Sequence, residues 1–240
     1  MTNLPQRTTT YSGPITDSTR WDGFDMRADD VFICTPPKCG TTWSQSITCM
    51  MIHGRPDFDD GLWKLSPWLE SQTHPIEVVN ENLSVQTHRR CIKSHTPMDG
   101  IIYDPRVTYI AVYRHPLDVH FSMRKHVANM TGDVLDHLFP GDPRHNALMF
   151  INDMAPAGDC DYLTLDTLIK HYKSFKEWEH LPNVHLLHYA DMRADLPAAM
   201  ARFAEILDYT FDDETMAALI KGAGFDEMRK NPNRFTPSAG

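Results

Sequence analysis

The sequence predicts a three-layer α/β fold, in which helices flank both faces of a parallel sheet within a single domain. Two observations lead to this prediction. Short apolar runs alternate along the chain with segments whose apolar residues recur every three or four positions, as in strands joined by crossover helices. The 240 residues are also 41% hydrophobic and 23% charged, which is enough apolar material to bury a sizeable core and excludes a disordered chain.

Four short runs predict the strands. The first lies between two aspartates and two prolines, which is typical of a buried strand with a turn at each end. The second is brief and the third is the strongest of the four. In chain order they are Val31-Phe32-Ile33-Cys34-Thr35, Cys91-Ile92-Lys93, Val107 to Tyr113 and Val184 to His188.

The helices are predicted from apolar stripes and from residues that favour helix ends. One stripe begins at Thr41 and ends before Gly54, which suits the position after a helix C-terminus. Pro116 suits the first turn of a helix that runs to about Met130. Two further helices are predicted, Leu163 to Leu181 and Leu196 to Leu207, and the second has apolar residues at three- and four-residue spacing.

Two segments do not follow this alternation. We interpret residues 1–29 as an N-terminal extension and residues 30–240 as the domain, within which residues 55–86 and 131–162 are irregular and rich in apolar residues. Long connections of this kind often form lids or pocket walls, so we interpret both as segments that line the site of a small molecule. Simple packing over the core explains the same residues equally well.

The charge and the cysteines limit the partners. A formal net charge of −9 predicts no nucleic-acid partner and no membrane partner, although it allows a local basic pocket for a small anion. Five cysteines without a CxxC pair indicate free thiols in a reducing compartment. Because the N-terminus is unlike a signal peptide and no apolar run reaches 18 residues, we expect a cytoplasmic protein. The sequence leaves the oligomeric state open.

The histidines do not predict a metal site. His185 and His188 are the pair that most invites such an interpretation. They are three residues apart on a predicted strand, where side chains alternate between faces, so they cannot converge on one ion. We therefore expect no metal.

The strongest chemical signal is Thr35-Pro36-Pro37-Lys38-Cys39-Gly40-Thr41-Thr42-Trp43, between the first strand and the first helix. In such a loop, N–H groups at a helix N-terminus can surround an anion, and a lysine and two hydroxyl groups complete the site. The segment therefore predicts a P-loop-like phosphate site, with an ordinary turn as the alternative. It is not a Walker A motif, because Lys38 precedes Cys39-Gly40 and the third strand ends at Arg114 instead of a magnesium-binding Asp.

Five motifs in order, between Asp30 and Phe235, resemble the cytosolic sulfotransferase family. The loop is similar to the family's donor-binding Tyr-Pro-Lys-Ser-Gly-Thr-Thr-Trp segment. Lys93-Ser94-His95-Thr96-Pro97 resembles its catalytic Lys-Thr-His-Leu-Pro segment, and Arg114 with Ser122 matches the Arg and Ser, eight apart, that bind the donor's 3′-phosphate. Two later matches are Tyr189-Ala190-Asp191-Met192 and Phe225-Asp226-Glu227-Met228-Arg229-Lys230-Asn231-Pro232.

The resemblance implies transfer of a sulfuryl group from 3′-phosphoadenosine-5′-phosphosulfate (PAPS) to a hydroxyl or amine of a small acceptor, with 3′-phosphoadenosine-5′-phosphate (PAP) as product. A pocket built from the acceptor-site segments 55–86 and 131–162 would be apolar with few polar groups, which predicts an apolar acceptor but leaves its identity open. It implies that His95 is the general base and that Lys38 and Lys93 stabilise the transferred group and the leaving phosphate. It also implies an adenine between Trp43 and Phe225, with Tyr189 near its edge. The donor-binding residues would be Lys38, Cys39, Gly40, Thr41, Thr42, Trp43, Arg114, Ser122, Tyr189 and Phe225.

Some positions differ from the family pattern. Pro36 stands in place of the usual Tyr, Cys39 in place of Ser, and Ala223 in place of a Thr that commonly contacts the donor. The family also has an Arg-Lys-Gly segment over the 3′-phosphate, which this sequence does not contain before Gly240. We expect the residues beyond about Asn231, with parts of 55–86 and 131–162, to form a cover that becomes ordered when nucleotide binds.

Two other functions fit parts of the sequence. A catalytically silent nucleotide-binding module would use the anion loop, but it needs neither Lys93 nor His95 beside it. A P-loop kinase would need the Walker lysine position and magnesium-assisted chemistry.

Overall fold

The structure, a computed structural model, describes residues 4–58, 60–129 and 142–230. Within them, four parallel strands form one sheet in the order β2-β1-β3-β4. The predicted fold class is confirmed, and each strand ends within one residue of its predicted limits. The strands are β1 (Val31–Cys34), β2 (Cys91–Ser94), β3 (Thr108–Tyr113) and β4 (Val184–His188).

Helices connect and cover these strands. The described residues contain α1 (Thr41–His53), α2 (Leu62–Leu65), α3 (Ile76–Ser84), α4 (Pro116–Val127), α5 (Pro143–Asn152), α6 (Leu165–Lys176), α7 (Tyr189–Ala194), α8 (Leu196–Leu207), α9 (Asp213–Ala223) and α10 (Phe225–Lys230). Two short 3₁₀ helices lie at Ser18–Trp21 and Met98–Gly100.

The ends of the helices follow from local signals. α1 ends at Gly54, whose φ of 61° is left-handed and whose N–H donates to the carbonyls of Met50 and Met51. α6 begins two residues later than predicted, because the Thr164 side chain accepts the N–H of Thr167 and caps the helix there. Its last residue is Lys176, five residues before the predicted end at Leu181.

Apolar side chains fill both faces of the sheet, so the fold has three layers. Val31 and Ile33 of β1 face α1, α8 and α9, whereas Phe32 and Cys34 face α3 and α6. This alternation is the two-residue period of a strand. Trp21, from the described part of residues 1–29, is fully buried in the second cluster at 4.8 Å from the Phe32 ring.

The two irregular segments contain more regular structure than the sequence predicts. α2 and α3 lie within residues 55–86, and α5 lies within residues 131–162. The expected cover at residues 131–141 and after Asn231 lies outside the described residues.

The strand order determines where along the sheet the site lies. β1 connects to β2 on one side of the sheet, and β3 connects to β4 on the other, so the connections diverge between β1 and β3. Ligands of open parallel sheets bind beyond the carboxyl ends of the strands at such a point. The loop after β1 and Arg114 after β3 both lie there. None of the helices in the described ranges is long and apolar enough to cross a membrane.

Candidate active site

The loop between β1 and α1 has an unusual backbone. Lys38 has a φ of 64° and Gly40 a φ of 116°, both in the left-handed region. A Cβ atom on Gly40 would lie 3.0 Å from Cδ2 of Tyr189, so a glycine is needed at this close approach. No side chain caps the N-terminus of α1. The first N–H groups of that helix therefore have no intrahelical acceptor and can bind an anion.

The side chains around this loop also fit an anion. The Thr41 hydroxyl is buried and has no hydrogen-bond partner among the described residues, while Thr42 is exposed. Arg114 lies 3.5 Å from the carbonyl oxygen of Lys38, and burial and this guanidinium lower the pKa of Lys38. Two neighbouring cations and an orphaned hydroxyl are the groups that phosphate oxygens satisfy.

Arg114 is held in place by an aromatic ring and a carboxylate. Its guanidinium lies 4.4 Å from the Tyr189 ring centroid, and its Nε lies 3.8 Å from Asp118 Oδ2. Ser122 is half-buried two turns into α4, the helix that begins just after Arg114. The structure thus brings Arg114 to the anion loop and places Ser122 on the neighbouring helix.

Cys39 serves the loop as an anchor. Its side chain is buried with Val119, Phe150 and Leu168, and its N–H donates to the Pro36 carbonyl at 3.2 Å. Burial raises the pKa of the Cys39 thiol to about 12. A thiol in this environment is not a nucleophile near neutral pH.

His95 follows β2 directly and is 8% exposed. Its Nδ1 is hydrogen bonded to the carbonyl oxygen of Thr35. Because a carbonyl oxygen only accepts, Nδ1 carries the ring proton and Nε2 has a free lone pair. Burial, together with the neighbouring Lys93, lowers the pKa of His95 well below 6.5. His95 is therefore a neutral imidazole at physiological pH.

Lys93 lies one residue before Ser94 and is packed against an indole. Its Nζ is 3.9 Å from the Trp68 ring centroid, and the His95 ring meets the same indole edge-on at 4.7 Å. Burial lowers the pKa of Lys93 to about 8, while Glu70 raises it and Lys38 lowers it further.

The three aromatic residues predicted around the adenine are together. Trp43 and Phe225 lie 4.5 Å apart between ring centroids, Tyr189 meets Trp43 edge-on at 5.6 Å, and Trp43 Nε1 donates to the Ala223 carbonyl at 2.8 Å. A base stacked between two rings needs them about 7 Å apart, twice a van der Waals contact. The Trp43 and Phe225 rings must therefore separate to receive an adenine between them.

A cavity of about 380 Å³ opens beside His95. It borders Pro36 and Pro37 of the anion loop, so a molecule in it could contact both the loop and the imidazole. Its wall includes described residues of the 131–162 segment but none of the described residues of the 55–86 segment. The other lining residues are Tyr11, Pro97, Asp99, Ala155, Pro156, Gly158, Asp159, Cys160, Leu163, Thr167, Leu168, Lys170, His171, Lys173 and Ser174.

The wall is mainly apolar, and α6 adds the exposed residues Lys170 and Lys173 to it. A second buried histidine, His171, also lines it. The Tyr113 hydroxyl lies 3.0 Å from Nδ1 of His171, and burial lowers the pKa of His171 to about 3. Both histidines of the cavity are therefore uncharged.

A family model described as a sulfotransferase domain matches residues 28–238 of this chain. The chain belongs to the sulfotransferase family. It is 32% identical over 254 residues to a glycolipid sulfotransferase of Mycobacterium tuberculosis, a match that covers 95% of this chain and 78% of the relative. A Mycobacterium bovis glycolipid sulfotransferase is 31% identical over 264 residues, with the same two coverages.

Solved structures share the fold of this sulfotransferase. A mouse sulfotransferase complexed with PAP superposes with a TM-score of 0.67 at 21% identity, over 92% of this chain and 77% of that one. A retinol dehydratase in complex with retinol and PAP superposes with a TM-score of 0.66 at 19% identity, over 89% of this chain and 70% of that one.

The sequence analysis missed several residues that the structure brings to the site. Trp68 contacts both Lys93 and His95, and Tyr11 comes from the segment interpreted as an extension. The one local feature that could have indicated the site role of this segment is the Trp68-Leu69-Glu70 run, in which an acidic residue follows two large apolar residues. Among the described residues, no three His, Cys, Asp or Glu side chains are grouped so as to hold a metal ion.

Proposed function

We propose that this sulfotransferase transfers a sulfuryl group from PAPS to a hydroxyl group of a small acceptor bound in the cavity beside His95. The observation that carries the proposal is the His95 imidazole, which is buried, neutral and fixed with its Nε2 lone pair free. It lines the acceptor cavity together with Pro36 and Pro37 of the anion loop. A binding module has no use for a base at that position.

The transfer step needs a base for the acceptor hydroxyl, a sulfur atom in line with the attacking oxygen, and a stabilised leaving group. His95 Nε2 removes the proton of the acceptor hydroxyl as its oxygen attacks sulfur, and the bond from sulfur to the bridging phosphate oxygen breaks. The products are a sulfate ester, PAP and a proton carried by the imidazole. Negative charge grows on the bridging oxygen, which Lys38 and Lys93 stabilise as ammonium groups.

The donor's two phosphates account for the other cationic groups. The 5′-phosphate is assigned to the N-terminus of α1, with Lys38, Thr41 and Thr42. The 3′-phosphate is assigned to Arg114 and Ser122. This use of two separate phosphates, without a magnesium-binding Asp after β3, favours PAPS over a nucleoside triphosphate and a kinase reaction.

The acceptor is proposed to be mainly apolar with a few polar groups. Prolines and leucines line the cavity together with Asp99, Asp159, Lys170 and Lys173. Such a wall suits a molecule with an apolar body and a few hydroxyl groups. The names of the two mycobacterial relatives, glycolipid sulfotransferases, agree with an acceptor that has both an apolar and a polar part.

The location is proposed to be cytoplasmic. All five cysteines are free thiols in the structure, and four of them are buried. Free thiols are typical of a reducing compartment.

One pair of measurements tests the donor. PAP at about 100 times its Kd should stabilise the protein by about 2.7 kcal/mol, which raises Tm by roughly 5–10 °C for a chain of this size. ATP with magnesium should raise it far less, and Arg114→Ala should weaken the PAP response.

The acceptor is tested with labelled PAPS and a panel of phenols, alkyl alcohols, glycosides and amines. Sulfated product without added metal supports transfer. Equal stabilisation by PAP and by ATP with magnesium, or no sulfated product from any acceptor, would contradict the proposal.

A further inference from the structure

Behind the predicted catalytic stretch lies a buried carboxylate that the reaction described above does not use. Glu70 is fully buried. Its Oε1 accepts the Trp21 indole N–H at 2.8 Å and the hydroxyl of Ser94, the residue between Lys93 and His95. Its backbone carbonyl accepts the N–H of Asp17 at 2.9 Å. An acidic side chain is rarely buried unless it has partners or a function.

We propose that Glu70 is a positioning residue of the transfer reaction, which fixes the Lys93 to His95 stretch through Ser94 and supplies the buried negative charge that keeps Lys93 an ammonium group. The inference rests on the proposed function. The geometry that supports it is the hydrogen bonding around Ser94 and the pairing of residues 67–70 with Lys93, and the charges around Lys93 agree with it.

The first line of support is the hydrogen bonding around Ser94. The Ser94 hydroxyl donates to Glu70 and accepts the N–H of Thr96 at 3.1 Å. The residues before and after His95 in the chain are therefore both connected to the carboxylate. The Ser94 carbonyl accepts the N–H of Thr35 at 3.2 Å, and Thr35 is the residue that holds the His95 ring. Fixing Ser94 therefore fixes the imidazole and its hydrogen-bond partner together.

The segment that carries Glu70 is itself joined to Lys93. The Lys93 N–H donates to the Pro67 carbonyl at 2.9 Å, and the Leu69 N–H donates to the Lys93 carbonyl at 3.2 Å. Residues 67–70 thus form a short bridge beside β2, with Trp68 against the Lys93 ammonium. The backbone segments that carry Glu70 and Lys93 are therefore hydrogen bonded to each other.

The charges around Lys93 agree with this geometry. Glu70 favours its ammonium form, the Trp68 ring does so through a cation–π contact, and Lys38 opposes it. His95 and His126 also lie close enough for the lysine charges to lower the pKa of each imidazole. Of these groups only Glu70 is acidic. Burial raises the pKa of Glu70, and the hydrogen bonds from Ser94 and Trp21 oppose that rise.

The test is the pH dependence of kcat/KM in Glu70→Gln, which keeps the shape of the side chain and removes its charge. The alkaline limb of the wild-type profile should lie near pH 8, where Lys93 loses its proton. Without the carboxylate the pKa of Lys93 falls, so activity at pH 8 should drop several-fold while activity near pH 6.5 changes little. A purely structural role would lower activity equally at every pH.

Two variants serve as controls. Trp21→Phe removes a hydrogen bond from the same Glu70 oxygen but keeps the carboxyl group, so its alkaline limb should lie nearer the wild type than that of Glu70→Gln. Glu70→Asp keeps the charge, and its limb should lie nearer the wild type than that of Glu70→Gln. An alkaline limb that stays in place in Glu70→Gln would overturn the charge assignment.

A further variant covers the case in which Glu70→Gln does not fold. Ser94→Ala cuts the link between the carboxylate and the catalytic stretch, and a fall in kcat with an unchanged PAP-induced rise in Tm supports the positioning role. An unchanged kcat overturns it. A wild-type protein that makes no sulfated product refutes the proposed function itself, which distinguishes that failure from the failure of the Glu70 inference.

Discussion

Because Nε2 of His95 is free to accept a proton, we predict the effect of two substitutions at this residue on kcat. His95→Asn places an amide nitrogen near the position of Nδ1, so the hydrogen bond to the Thr35 carbonyl is kept while the base is lost. His95→Ala loses both. If proton removal is the function of His95, both variants should lose about 10²- to 10⁴-fold in kcat, or about 2.7–5.4 kcal/mol of transition-state stabilisation.

Stability should separate the same two variants. His95→Ala leaves the buried Thr35 carbonyl without its donor, which costs about 1–3 kcal/mol in the free energy of unfolding. His95→Asn should lose much less, because its amide N–H replaces that donor. Single-turnover sulfation with PAPS measures the first effect, and denaturant unfolding measures the second. Binding of PAP should be nearly unchanged in both variants.

The pH profile gives an independent check on the same residue. A general base acts only when unprotonated, and burial and Lys93 lower the pKa of His95 well below 6.5. Activity should therefore persist at pH 6.5 and fall only at lower pH. An Asn variant with kcat within about tenfold of wild type, or an acid limb above pH 6.5, would refute the role of Nε2.

Two further predictions concern the loop and the sheet. Gly40→Ala should lose about 1–3 kcal/mol in the free energy of unfolding, because its φ of 116° strains any other residue and its Cβ would meet Tyr189 at 3.0 Å; an unchanged denaturation midpoint would contradict this. Asp30→Ala should lose about 3–5 kcal/mol, since it leaves Arg90, whose side chain is 4% exposed, charged without its partner. Asp60→Ala, which removes an exposed ion pair with Lys64, should stay within about 1 kcal/mol and serves as the control for Asp30→Ala.

The strands and the anion loop could be predicted because their signals are local. A β-prone run between turn residues defines β1, and Gly54 marks the end of α1 by its own conformational freedom. The five motifs then predicted which residues belong together. α3 and α5 were missed, because the sequence analysis treated their amphipathic stretches as parts of irregular connections.

Contacts across long stretches of sequence could not be predicted. Glu70 meets Ser94, 24 residues away, and Tyr11 donates its hydroxyl to Asp99, 88 residues away. Nothing in either short segment encodes its partner, because the contact is made by the path of the whole chain. The same applies to the cavity beside His95, whose wall depends on which face α6 turns toward it.

The pairing of β1 with β2 explains why His95 and the anion loop are in register. Ile33 lies opposite Lys93 and Cys34 opposite Ser94, so the next residues beyond the strands are Thr35 and His95, which share a hydrogen bond. Thr35 also begins the anion loop. Because a slip of one residue would move every side chain of a strand to the other face, the register that buries Phe32 and Ile92 in one core also sets where His95 stands relative to the loop. The precision of the site therefore comes from strand pairing in the core, which a mobile loop alone could not supply.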